Sequence, residues 1–589
     1  MTLIFQVVCA LFSGILSALA MPNEIFHFGS TVIGFFALVP LYFAVKKAKS
    51  YKVCALLFAI DALSTHLLSS YWLANFKDFA IFTLGASAFG TACIEAMAGC
   101  IFFFPFAGGR DGGANLIIEN KRVSFEPYRP LHFAAVRVVY EWAKSTGFLA
   151  YPWGVLSMAA FGNKALLQSA DIFGTYGISF LMAFFAACAA EFILLFNKFN
   201  FCLKNSFQNA KFSLGSSAKC LVLCLILIFA YGTVRLCQKS PVQKVLNAVL
   251  VQQNMDPWAS EDDLESIQKS MELSKAGIKE FEDQEKKVDL VVWSEAVLRY
   301  AIPNSLGRYA FVPEDQSLFD FIKSAGVPFV IGGPYIERVD GGKTKKMYNA
   351  ALVFDKEANL RGYYAKSHLV PFAEVIPFVE HDFVKNTMER LVGFSNGWNP
   401  GSRLVLFDFE AAESPRADQP IYLDLSNVCA DQPVNAQSAK VRTAVPICFE
   451  DAFPDTCGPM FQAGAELFLN ITDDSWSKTK SAEYQHFAVA AFRAVEYRTT
   501  LARSTNAGFT AVVDDKGRLV SSIPLFEDGY LCAQIPIFAR RSTVYSVFGN
   551  WFVHLLLLAL AALALVKARE LRPPKLRDLI RAELLKIEF

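Results

Sequence analysis

This 589-residue chain has no excess of charge of one sign: 56 Lys and Arg stand against 55 Asp and Glu, a net charge of +1 at pH 7. With no basic stripe beside that balance, an electrostatic nucleic-acid partner is excluded. Metal-type cysteine spacing is absent as well. Of the 13 cysteines, Cys9, Cys54, Cys93, Cys100, Cys188, Cys202, Cys220, Cys224 and Cys237 lie in or beside apolar stretches and read as small core hydrophobes. The apolar run Leu3 to Ala20 lacks the basic segment of a secretory signal and is followed by further long apolar runs, so it reads as a first membrane span.

What is present is apolar surface. The mean hydropathy is +0.32, 53% of residues are hydrophobic and 55 are Phe, which describes a membrane protein with one large polar insert. Further spans are expected at about Thr31 to Val45, Val53 to Leu73, Ile81 to Phe106, Ile172 to Phe196, Leu221 to Val234 and Phe548 to Val566, most of them near the roughly 20 residues a bilayer crossing needs. Basic clusters at Lys46, Lys47, Lys49 and Lys52, at Arg110, Lys121, Arg122 and Arg129, at Lys198, Lys204 and Lys211, and at Lys567, Arg569, Arg572 and Lys575 mark cytoplasmic loops. All four fall on one side only if one more crossing lies between Leu131 and Ala170. Leu131 to Ala150 is the candidate, its Arg137, Glu141 and Lys144 requiring it to face protein; the alternative is an interfacial helix. Eight spans put both termini in the cytoplasm. The expected organisation is a membrane domain over 1–240 with about seven spans, an external domain over 241–541, and a final span with a basic tail over 542–589.

The external region reads as a layered α/β domain. Apolar runs at Val245 to Gln252, Val288 to Trp293, Pro328 to Gly332, Ala350 to Phe354, Thr443 to Cys448, Ala465 to Asn470 and Thr510 to Val513 predict buried strands, and helical patterns intervene at Ser260 to Glu280, Gln316 to Ala325, Phe453 to Ala463 and Ala482 to Tyr497. Ala411 to Lys440 is polar and without period, and reads as a surface insertion. Three strings place a reactive side chain at the end of a strand-like run: Val-Val-Trp-Ser-Glu295, Lys366-Ser-His-Leu-Val-Pro-Phe-Ala-Glu374, and Val-Pro-Ile-Cys448-Phe-Glu450. Together they supply a nucleophile in Cys448, a base in Glu295 and a fixed cation in Lys366, the set that acyl transfer through a thioester needs. A backbone N–H near Phe449 is placed to stabilise the developing oxyanion. Glu450 either positions the nucleophile loop or pairs with Arg503, and His368 reads as a structural hydrogen-bonder.

These strings, with Gly332-Gly333-Pro334, Tyr348-Asn349-Ala350, Arg503-Ser504-Thr505-Asn506-Ala507-Gly508 and Gly549-Asn550-Trp551, resemble the apolipoprotein N-acyltransferase family, the bacterial membrane branch of the nitrilase superfamily, over nearly the whole chain. The resemblance implies an αββα sandwich domain outside a multi-span helical membrane domain, with Glu295, Lys366 and Cys448 as catalytic triad and Glu374 orienting the lysine. It also implies a phospholipid acyl donor, typically phosphatidylethanolamine, a diacylated apolipoprotein acceptor, a location in the bacterial inner membrane, a monomer, and no metal or organic cofactor. Control of water would separate such a transferase from a hydrolase, and Trp258, Phe378, Trp398 and Trp476 are the apolar candidates for lining the substrate site. The polar interruptions in Val375 to Gly401 predict a lid or interfacial loop. Two positions depart from the family pattern: Phe449 stands where Tyr is common, and Asp473-Asp474-Ser475-Trp476-Ser477-Lys478 stands where Asn-Asp-Ala-Trp-Phe-Gly is common. An oxidising location would allow a Cys429–Cys457 disulfide. Two other readings are a membrane-tethered amidase acting on a small amide or nitrile, and a transporter or receptor that keeps the fold without the chemistry.

Overall fold

The computed structural model of the protein describes residues 2–76, 81–107, 115–118, 121–147, 149–198, 215–256, 262–342, 344–376, 378–392, 397–411 and 439–570. Among these, six helices are long and apolar enough to cross a bilayer: Leu3–Ala20, Tyr51–Ser69, Thr83–Phe106, Ala170–Phe196, Gly215–Cys237 and Trp551–Arg569. Two of the eight expected crossings take other forms. The run from Thr31 folds as two short helices, Thr31–Phe36 and Val39–Lys46, because Pro40 has no N–H to carry one hydrogen-bond ladder through. The stretch from Leu131 is helical over Arg129–Lys144 only, 16 residues, or about 24 Å at 1.5 Å per residue, against the roughly 30 Å of a hydrocarbon core.

That short helix keeps its charges among protein groups. The Arg137 guanidinium donates to Asp61 at 3.0 Å, Glu95 at 2.5 Å and Glu141 at 3.3 Å, and all four side chains are buried. Lys144 donates to the Trp153 carbonyl. Low-dielectric surroundings tolerate such groups only when they are paired, so the network ties three helices together.

The polar region is a sandwich of two six-stranded sheets. The strands are β1 Val242–Gln252, β2 Leu290–Val292, β3 Phe329–Val339, β4 Thr344–Phe354, β5 Leu360–Ala365, β6 Leu406–Ala411, β7 Ala439–Ala444, β8 Leu467–Thr472, β9 Thr500–Thr505, β10 Ala511–Val513, β11 Leu519–Ser522 and β12 Gly529–Phe538. One sheet runs β12-β1-β2-β3-β4-β5 and the other β11-β10-β9-β8-β7-β6. In each, the parallel pairs occupy the centre and antiparallel strands the flanks. The alternation of side chains along β1 builds the layers. Val249 and Val251 pack with Ile267 and Met271 of the helix Leu264–Asp283, whereas Ala248 and Leu250 join the core shared with Leu467 and Leu469 of β8. Helices Pro454–Gln462 and Lys480–Tyr497 cover the second sheet, completing the αββα order.

The helix Lys480–Tyr497 is buried along nearly its whole length, because its outer face meets the membrane helices instead of water. Gln485 donates to the carbonyls of Pro22 and Ser69, and Arg498 just beyond it pairs with Asp171 at 2.6 Å. The expected insertion joins the paired strand ends Ala411 and Ala439; residues 412–438, and with them Cys429, lie outside the described residues, while Cys457 is a buried free thiol. Within the segment expected to form a lid or loop, Asp382–Val392 is a helix. Its apolar positions recur at helical spacing, which the polar interruptions masked.

Candidate active site

Each reactive side chain sits just past a buried strand. Glu295 follows β2, where the chain leaves the sheet through Ala296 at φ +60°. Gly332 of β3 lies directly beneath it: a Cβ there would sit 2.4 Å from the Ser294 carbonyl oxygen and 2.6 Å from the Glu295 Cα, so only glycine lets the two strands approach. Lys366 follows β5, and its N–H donates to the Asn349 carbonyl at 2.8 Å. The strand expected through Cys448 ends earlier, at Ala444, since Pro446 cannot extend the ladder. Cys448 opens a short 3₁₀ turn, Cys448–Ala452, with φ at +51°. That left-handed conformation costs a non-glycine residue about 1–3 kcal/mol. It is held by Asn470 Nδ2, which donates to the Cys448 carbonyl at 2.9 Å.

The carboxylates surround the cation. Lys366 Nζ donates to Glu295 Oε1 at 3.1 Å and Glu374 Oε1 at 2.9 Å. Asn349 Nδ2 bridges the same two oxygens at 2.7 and 2.9 Å. The second oxygen of Glu295 accepts the Asp473 N–H at 3.0 Å, and that of Glu374 the Val370 N–H at 2.8 Å. Lys366 is only 1% exposed. Its burial alone favours the neutral amine, but Cys448, Glu295 and Glu374 outweigh that and raise it well above the usual lysine range. Burial also pushes the Cys448 thiol well up; the Glu295 charge adds to the rise and Lys366 opposes it. The resting sulfur is therefore a thiol.

Glu450 proves to be a clamp. One oxygen accepts the N–H groups of Ser367 at 2.7 Å and His368 at 3.0 Å and the Tyr364 hydroxyl at 3.0 Å; the other accepts the Ile447 N–H at 2.9 Å. It joins the turn of Cys448 to the loop of Lys366, while Arg503 pairs instead with Asp451 at 2.5 Å. The His368 ring stacks on Phe453 with centroids 4.0 Å apart, and burial, with the Lys366 charge, lowers it to about 4. Its backbone N–H is the hydrogen-bonder and its imidazole is neutral.

Glu295, Lys366, Glu374, Cys448 and Phe449 line one cavity of about 750 Å³. Trp398 and Trp476 line it too, Trp476 packing edgewise on Phe76 and tilted on Trp72. Phe378, 56% exposed, is not part of that lining, and Trp258 lies outside the described residues. The opposite wall comes from the membrane side, through Leu73, Phe76, Thr83 and Ile94. Trp153 stacks on Phe449 with centroids 5.7 Å apart.

The sequence reading did not assign roles to Asn349, Asp473, Asp474, His486, Trp72 or Trp153. Asn349 left a trace, a polar residue inside an otherwise apolar strand. His486 bridges Asp474 at 2.7 Å and Asp451 at 3.0 Å. Burial would lower the imidazole, but those two carboxylates outweigh it and raise it to about 9. Among the described residues no group of His, Cys, Asp and Glu is arranged to hold a metal ion.

Residues 13–188 match the family described as Apolipoprotein N-acyltransferase N-terminal domain, and residues 247–544 match Carbon-nitrogen hydrolase. The chain is 38% identical over 548 residues to Apolipoprotein N-acyltransferase 2 of Treponema denticola, covering 93% of this chain and 95% of the relative. It is 34% identical over 564 residues to Apolipoprotein N-acyltransferase 2 of Treponema pallidum, covering 92% and 91%. It is 30% identical over 554 residues to Apolipoprotein N-acyltransferase of Borreliella burgdorferi, covering 93% of each. A multi-pass membrane protein carrying a nitrilase-like sandwich, the chain belongs to the apolipoprotein N-acyltransferase family.

Proposed function

We propose that the protein transfers an acyl chain from a phospholipid, with phosphatidylethanolamine the expected donor, to the α-amino group of an S-diacylglyceryl cysteine at a lipoprotein N-terminus. The observation that carries this reading is the shared cavity: the Cys448 side of the sandwich and the membrane-side residues Leu73, Phe76 and Ile94 line one space. An acyl chain arriving from the bilayer can meet the thiol there without crossing water. About 750 Å³ is also far more room than a small amide needs.

In the first half-reaction Glu295 accepts the Cys448 proton as sulfur bonds to the ester carbonyl carbon. The Lys366 ammonium and the N–H of Phe449, near the open start of the 3₁₀ turn, stabilise the oxyanion. The C–O bond breaks, Glu295 returns the proton to the glycerol oxygen, and a lysophospholipid leaves. In the second, a neutral amine attacks the thioester, the C–S bond breaks and Cys448 recovers its proton. Glu374 and Asn349 keep Lys366 and Glu295 in register, and Glu450 fixes Cys448 against them. Trp398 and Trp476, with the membrane-side wall, exclude water, so that the amine and not water takes the acyl group. The reading places the protein in a bacterial inner membrane as a monomer, with residues 241–541 outside and both termini cytoplasmic, and it requires no cofactor.

Full-length protein in proteoliposomes containing phosphatidylethanolamine, given a diacylated lipopeptide, is expected to yield triacylated lipopeptide and lysophospholipid in equal amounts. Free fatty acid in place of the triacylated product assigns a hydrolase instead.

A further inference from the structure

Glu295 stands in the wall between two cavities. On one side is the large space already described. On the other is a chamber of about 30 Å³ whose lining includes Asp256, Asp262, Glu265 and Arg299, and which shares Glu295 and Asp473 with the large cavity. That volume accommodates a water molecule. Asp256, Asp262 and Glu265 are exposed, so the chamber opens toward solvent from behind the base.

The acyl transfer proposed above has a proton balance that this arrangement answers. Thioester formation releases none: the thiol proton ends on the glycerol oxygen. Amine acylation releases one, because an α-ammonium and a thioester give an amide, a thiol and H⁺. Acyl chains in the large cavity would not carry that proton, so it needs an acceptor that reaches solvent. We propose that Asp473 accepts it and passes it to solvent through the polar chamber behind Glu295.

Two contacts fix Asp473 in place. Its backbone N–H is bonded to Glu295 Oε2 at 3.0 Å, so its position is fixed relative to the base. Its carboxylate accepts from Ser475 Oγ at 2.6 Å, the Ser475 N–H at 3.1 Å and Asn506 Nδ2 at 3.0 Å, which holds it in the shared wall. Asp473 is a titratable acid, able to take up a proton where an amide could not. Burial raises the Asp473 carboxyl to about 7 against the pull of Ser475 and Asn506, with the Glu295 charge adding to the rise. An α-ammonium has a pKa of about 7.7–8.0, so the two groups are closely matched. The charges around Asp473 include Asp256, Asp262, Glu265 and Arg299 from the chamber, Glu295, Lys366, Glu374, Asp474 and His486 from the cavity, and Glu483, whose carboxyl Asp473 helps to raise.

The proposal rests on the acyl-transfer reading, and one experiment separates the two. The rates of thioester formation and of its aminolysis by a diacylated lipopeptide are measured in single turnovers on the full chain, unsubstituted and as Asp473→Asn, across pH. The substitution retains the backbone N–H to Glu295. At about pH 7, where roughly a tenth of the amine is already free base, the ratio of aminolysis to thioester formation is expected to fall about three- to tenfold in Asp473→Asn. It should recover by about pH 9, where the amine is already a free base. An unchanged ratio at pH 7, or a deficit that persists at pH 9, overturns the relay. Absence of any thioester in the unsubstituted protein overturns the underlying reading, and the relay with it.

Discussion

The environment of Cys448 combines effects of opposite sign: burial and the Glu295 charge hold the proton on sulfur, and Lys366 favours its loss. Removing either neighbour must therefore move the thiol in a defined direction. In the pH dependence of iodoacetamide alkylation, Glu295→Gln is expected to lower the midpoint and Lys366→Met to raise it; movement of both in the same direction contradicts this electrostatic account. These three residues were legible in the sequence because each interrupts an apolar run with a group that burial penalises unless it is used or paired. Glu450 was legible as a residue but not as a clamp, since its partners Ser367 and His368 come from a different loop. Trp72, Trp153 and His486 were not legible at all. Their place at the cavity depends on contacts between segments hundreds of residues apart, as in the stacking of Trp153 on Phe449, and no local pattern encodes such a meeting.

The helix Lys480–Tyr497 joins the site to its surroundings. Through His486 it holds Asp451 of the Cys448 turn and Asp474 of the loop whose Asp473 N–H reaches Glu295. Arg503 of β9 closes the network on Asp451 and Asp474. His486 is raised to about 9 in the folded protein, from about 6.5 in an unfolded chain. Its contribution is thus complete below about pH 6.5 and is lost as pH rises through about 9. The thermal midpoint of the detergent-solubilised protein is expected to decline over that window and to do so less in His486→Gln; parallel curves for the two proteins contradict it. The buried central strands β1, β2 and β8 were readable as apolar runs, because strands covered on both faces admit little else. Strand β9 was not, because Arg503, Ser504 and Thr505 are buried with tertiary partners and read locally as polar loop. The helix Lys480–Tyr497 was found from its pattern, but its burial on all sides was not, since the covering comes from membrane helices.

In the whole molecule the membrane helices and the sandwich share a continuous apolar core that polar contacts supplement, with the cavity at their junction. Arg498 to Asp171, Gln485 to the Ser69 carbonyl, and Trp551 Nε1 to the Ile172 carbonyl at 2.8 Å lie along that junction. Within the membrane body the Arg137 network holds the helices that supply the cavity wall. Arg137→Met leaves Asp61, Glu95 and Glu141 without their cation and is expected to cost roughly 3–5 kcal/mol. Combining it with Asp61→Asn and Glu95→Gln should restore much of that stability in detergent unfolding; no recovery contradicts the pairing account. Six spans were legible from hydropathy alone, the run from Thr31 was not as one span, and the short helix Arg129–Lys144 was legible only as an anomaly, its charges explained by partners on other helices. In the proposed reaction the acyl group rests on Cys448 between two lipids. Its most direct test is the intact mass of the full-length protein after incubation with phosphatidylethanolamine. The account predicts an added acyl mass that hydroxylamine removes and that Cys448→Ala never acquires; an enzyme that turns over with no such adduct, or an adduct that persists in Cys448→Ala, contradicts it.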